Sequence, residues 1–204
     1  MNSYHTDNCQ CGFCENAQEF GIGQGTYNDI VKKLQEIRLL VVGNKKYHSG
    51  AMGIAFCKST WRDILATNCS GRYLLCALGV NLQKAQCTFC LPEDLFKYLA
   101  KLGIVFWNYS EIDTLIQFGV SIEETILCGP NAEKILRNAN FVNKINKFPY
   151  YIPKHPSPEG VKKNNQNDIW FRFWGTYGKI PTELNSIYNG CNIGLIIQDA
   201  NARM

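Results

Sequence analysis

Residues 39–48 read Leu39-Leu40-Val41-Val42-Gly43-Asn44-Lys45-Lys46-Tyr47-His48. Four unbroken apolar residues stop at a glycine and give way to polar and aromatic ones. A run this short, with no alternation, predicts a strand buried on both faces, as in a parallel sheet. Upstream, Thr26 is placed to cap a helix whose apolar stripe is Ile30, Val31, Leu34 and Ile37. A helix followed by a buried strand is the unit of an α/β fold.

The unit recurs downstream. Pro92 opens a helix running to Leu102, with Leu95, Phe96, Leu99 and Leu102 inward. Gly103 ends it, and Ile104–Trp107 is a second buried strand. Ile112–Phe118 reads as a helix and Thr125–Cys128 as a third strand. Gly129 and Pro130 open a further helix over Ala132–Arg137, and Phe148–Ile152 is a fourth strand. This alternation predicts an α/β sandwich with a mostly parallel sheet.

With 204 residues, 46% hydrophobic and 19% charged, the chain has enough apolar surface for one folded domain. Residues 1–25 read as a polar, Cys-rich arm and 26–204 as the domain. No run of 18 apolar residues is present, so neither a membrane span nor a membrane partner is expected. The net charge of +4 permits a polyanionic partner without demanding one. Met1–Phe13 is polar where an export signal would be greasy, which predicts an intracellular protein (cytoplasm or nucleus) with reduced thiols.

Of ten cysteines, Cys57, Cys76 and Cys128 lie in apolar surroundings and are expected in the core. Cys9, Cys11 and Cys14 form C-x-C-x2-C, and Cys87 and Cys90 form C-x2-C. Two such clusters are the material of a four-thiolate zinc or iron–sulfur site, the alternative being scattered reduced thiols.

Ligands of open parallel sheets bind beyond the carboxyl ends of the strands. The first strand is followed there by residues 43–56, the second by Asn108-Tyr109-Ser110, and the fourth by Lys154-His155-Pro156-Ser157-Pro158. In this order the three segments resemble the uracil-DNA glycosylase superfamily. Gly43, Tyr47 and His48 match its water-activating Gly-Gln-Asp-Pro-Tyr-His motif, and Gly53 and Phe56 the Gly-x-x-Phe segment after it. Leu99–Asn108 resembles the strand that ends in an asparagine, and His155–Pro158 matches the His-Pro-Ser-Pro loop in full. The resemblance covers about residues 38–190. It implies a three-layer sandwich with a central, mostly parallel four-stranded sheet.

The resemblance also implies base excision from DNA, with a nucleotide extruded into a pocket. Phe56 would stack on the base, Asn108 would read its edge through donor and acceptor, and Tyr47 would exclude a 5-methyl group. His155 would stabilise the leaving base anion. His48, Ser49 and Ser157, with Lys162 and Lys163, would meet the DNA backbone. Some branches carry a four-cysteine iron–sulfur cluster, for which Cys11, Cys14, Cys87 and Cys90 are the candidates here; no cofactor is required by the reaction itself.

Two departures shape the expectation. The water-activating Asp is replaced by Lys45 and its neighbouring Pro by Lys46. A cation there opposes the oxocarbenium-like sugar by several kcal/mol. Three roles stay open: Lys45 as a nucleophile on the sugar, Lys45 and Lys46 as phosphate binders, or Asn44 as substitute for the carboxylate. Glu159 stands where the nearest branch has a duplex-wedging leucine, which favours single-stranded substrate. The alternative is a glycosylase fold that has lost its chemistry and serves as a DNA-binding or protein-docking module.

Overall fold

The computed structural model describes residues 25–44, 53–66, 69–77, 80, 82–147 and 149–152. Thr26 caps helix α1 (Tyr27–Lys32): its hydroxyl accepts from the Asp29 N–H at 3.2 Å, and the Asp29 carboxylate accepts from the Thr26 N–H at 3.0 Å. The Thr26 backbone bond, reinforced by its hydroxyl, holds the Asp29 carboxyl below its ordinary value. The predicted stripe is shortened: α1 ends at Lys32, and Ile37 belongs to strand β1 (Glu36–Gly43). Extended backbone from Glu36 carries Ile37 and Leu39 to one face of the sheet, and both are buried.

Helix α5 (Pro92–Lys101) has Pro at its start and buries Pro92, Leu95, Phe96, Leu99 and Ala100, the spacing of one helical face. The Leu91 N–H donates to the Asp94 carboxylate at its entrance at 3.0 Å. Gly103, at φ +82, turns the chain into β2 (Ile104–Asn108), and its carbonyl accepts from the N–H groups of Arg38 and Leu39. Helix α6 (Ile112–Gln117) leads to β3 (Ser121–Cys128). Strand β4 (Tyr150–Ile152) pairs with Ile126–Cys128 of β3 and is the last strand among the described residues. All pairings are parallel, in the order β2-β1-β3-β4.

The α/β class and the parallel sheet are therefore as expected. Strand β3 starts four residues before the predicted Thr125. Glu123 and Glu124 hid this start, yet Glu124 is buried at 2% exposure because Lys147 Nζ lies 2.5 Å from its Oε1. Ala132–Arg137 forms a 3-10 helix rather than an α-helix; Ala132 and Ile135, three apart, are its buried residues. Among the described residues, 57–91 hold three short helices that the sequence reading did not include: α2 (Trp61–Leu65), α3 (Ser70–Ala77) and α4 (Leu82–Thr88). Helix α7 (Ala139–Val142) is capped by the Asn138 side chain.

Helices pack on both faces of the sheet. Phe96 of α5 meets Phe106 edge-to-face at 4.8 Å, and Phe118, just past α6, meets Trp107 at 5.9 Å. Adjacent strand residues point to opposite faces, so these contacts lie on opposite sides. The outer edge of β2 is closed by Tyr27: its hydroxyl donates to the Phe106 carbonyl at 3.2 Å and accepts from the Phe106 N–H at 2.8 Å. Among the described residues, no helix is long and apolar enough to cross a membrane.

Candidate functional site

Strands β1 and β2 end level with each other. The register runs Leu39–Ile104, Val41–Phe106, Gly43–Asn108, so Gly43 and Asn108 are neighbours on one face at the carboxyl rim. Gly43 has no Cβ, and a Cβ there would lie 2.9 Å from Cε2 and 3.0 Å from Cζ of Phe56. Its absence lets the Phe56 ring lie directly on the β1 backbone. The ring is buried, at 4% exposure, and meets Phe106 edge-to-face at 6.5 Å.

The segment carrying Phe56 folds back sharply. Gly53 takes φ +78, the Cys57 N–H donates to the Ile54 carbonyl at 3.3 Å, and Phe56 itself sits at φ +64. Left-handed backbone costs a non-glycine residue about 1–2 kcal/mol, so the surrounding contacts must enforce it.

Asn108 is 1% exposed, and its Nδ2 donates to the Gly53 carbonyl at 2.8 Å. That bond fixes the orientation of the amide and turns Oδ1 the other way. Asn108 Oδ1 is buried and has no partner among the described residues; the same holds for Asn44 Oδ1, one residue past β1. A buried acceptor left unpaired costs about 1–3 kcal/mol. A ligand presenting N–H or O–H donors at this rim would recover that cost, so the arrangement suits a group with a hydrogen-bonding edge. Thr125 Oγ1 is the third such atom among the described residues, but it lies inside β3.

The structure thus brings together Gly43, Gly53, Phe56 and Asn108, with Asn44 at the strand end. Gly53 entered the sequence reading only as a motif spacing; that its carbonyl holds Asn108 had no sequence signal. Gly71, which the sequence reading passed over, also belongs here, because Phe56's carbonyl oxygen lies where its Cβ would be. Lys45, Tyr47, His48, Ser49, His155, Ser157, Lys162, Lys163, Cys11 and Cys14 lie outside the described residues.

Cys87 is exposed and Cys90 half-buried. No group of three or more His, Cys, Asp or Glu that could hold a metal occurs among the described residues. The expectation for Cys57 and Cys128 is met: both are buried, and burial pushes both thiols up, which keeps them neutral and unreactive. The Cys76 side chain lies outside the description.

Compared with protein-family models, curated proteins and solved structures, the chain matches none.

Proposed function

We propose that the chain is a divergent glycosylase of the uracil-DNA glycosylase type: a three-layer sandwich around a four-stranded sheet that binds single-stranded DNA and excises an extruded uracil-type base. The observation that carries this reading is the Asn108 amide, oriented by Gly53 with an acceptor that has no partner among the described residues. Uracil presents an N3–H donor to that acceptor, whereas cytosine presents a lone pair at N3 and leaves it unpaired. In this reading the second Nδ2 hydrogen donates to uracil O4.

In this reading Tyr47 excludes thymine, and His155 stabilises the anion released when the C1′–N1 bond breaks. The electron pair leaves with the base. Water supplies the new C1′–O bond, and its proton passes to the base or to solvent. The buried, unpaired Asn44 Oδ1 supports Asn44 as the acceptor that orients this water. A Lys45 ammonium that came within about 4 Å of the sugar would cost about 4 kcal/mol relative to no charge, about a thousandfold in rate. That residue favours the second reading, in which the fold binds the base and does not cut.

An alkaline-cleavage assay on a uracil-containing single strand, paired with fluorescence anisotropy, separates the two. Product at multiple turnovers supports the enzyme. Uracil-selective binding without product supports the scaffold, and Lys45→Asp then restores cleavage. No preference for uracil over thymine in wild type or variant overturns both.

A further inference from the structure

We infer that Gly71, the second residue of α3, is a positioning residue for Phe56. A Cβ at Gly71 would lie 2.1 Å from the Phe56 carbonyl oxygen and 3.2 Å from its carbonyl carbon. The clash is with backbone, which cannot turn aside as a side chain does. Gly71 is not among the positive-φ residues, so helix geometry does not ask for glycine there. Glycine is a poor helix former; what requires it is the space the carbonyl occupies.

Two glycines therefore hold one phenylalanine from opposite ends. Gly71 receives the carbonyl, Gly43 receives the ring, and between them Phe56 is kept at φ +64. Displacing the carbonyl releases that left-handed backbone and swings the ring off Gly43. Helix α3 thereby supports the rim. The consequence for base binding rests on the reading above; the positioning itself does not.

The test uses the full chain. In wild type, nuclear Overhauser cross-peaks join the Phe56 ring to the Gly43 α-protons, whose shifts carry the ring current. In Gly71→Ala these cross-peaks vanish while signals from Ile126 and Leu127 stay in place, and affinity for a uracil-containing single strand falls about tenfold or more, the worth of one stacked base. A folded Gly71→Ala with cross-peaks and shifts retained overturns the proposal. Disappearance of the cross-peaks with affinity unchanged, or a wild type without uracil preference, leaves the positioning role standing and removes Phe56 as a base platform.

The pair Phe56→Gly and Phe56→Gly/Gly71→Ala covers the case in which the single variant does not fold. Glycine at 56 frees the carbonyl to move, so adding Gly71→Ala leaves the urea midpoint unchanged or raised. A double variant that fails to fold, or whose midpoint falls well below that of Phe56→Gly, overturns the proposal.

Discussion

The two ends of the sheet are built on opposite terms. At the amino end of β3, charged groups are paired: Lys147 reaches both Glu124 and Glu123, at 2.5 and 3.1 Å, and Asn146 Nδ2 donates to Glu123 at 2.7 Å. Nearby, an open groove of about 620 Å³ is lined by Lys33, Glu36, Arg38 and Lys101, where the carbonyl ends of α1 and α5 emerge. Its cations offset those helix dipoles. At the carboxyl end, two amide oxygens lack partners among the described residues and one phenylalanine sits in left-handed backbone. Unspent hydrogen-bonding capacity and strain concentrate where ligands of parallel sheets bind, while at the other end the Glu123 and Glu124 carboxylates are paired. Stability and recognition can therefore be altered separately.

The largest effect should come from a change that lowers stability alone. Tyr27→Phe keeps the ring stacked 6.4 Å from Trp107 but strips the hydroxyl from both Phe106 backbone groups. Two buried backbone groups lose a partner, at about 1–3 kcal/mol each. We expect about 3 kcal/mol less stability in urea unfolding, with affinity for a uracil strand unchanged at temperatures where the variant is folded. Loss of affinity in proportion to stability would erase the distinction between the two ends.

Asn108→Ala is the converse. It removes the bond to Gly53 but also the unpaired Oδ1, so the stability change should be small. Affinity for the uracil strand should fall by about 2 kcal/mol, the scale of one side-chain contact to a base edge. Competition titration against a thymine strand reads it directly. A stability loss with affinity intact would make Asn108 a structural strand-end residue.

The elements that sequence reading located are those whose cause is local. Leu39–Val42 and Ile104–Trp107 are apolar without interruption, and Pro92 and Gly103 bound their helix. The misplaced elements have distant causes. Glu124 can sit in a buried strand because of Lys147, which is 23 residues away in sequence. Helix α2 did carry a local signal: the Thr60 hydroxyl accepts from the Asp63 N–H, the capping spacing already used at Thr26.

The candidate site divides the same way. Residue types identify Phe56 and Asn108, but not the Gly53 carbonyl that orients the amide or Gly71 behind the phenylalanine. Those depend on where backbone meets empty space, and neither has a residue signature.

The smallest effect tests the paired end through pH. Hydrogen bonds from Asn146 and then Lys147 hold the Glu123 carboxyl below its ordinary 4.5, so its contribution is complete above that value and is lost as pH falls toward the folded one. Bonds to Glu124 and then Glu123 raise Lys147 above 10.5, so its contribution is complete below that value and is lost as pH rises. Burial raises Cys57 and Cys128 above 9.0 and Tyr27 above 10.0, which adds to the alkaline loss. Each such group steepens the decline by about 1.4 kcal/mol per pH unit while only the unfolded form has released its proton.

Stability measured by urea midpoint should therefore be level between about pH 5 and 9 and fall on both sides. Lys147 is 47% exposed, which places the cost of Lys147→Ala at about 1–2 kcal/mol, under that of a fully buried pair. The variant should also flatten the acid limb, because Glu123 loses one of the two groups that favour its charged form. Cys128→Ala should flatten only the alkaline limb. An acid limb unchanged in Lys147→Ala would mean that the hydrogen bond from Asn146, and not Lys147, holds the Glu123 carboxyl.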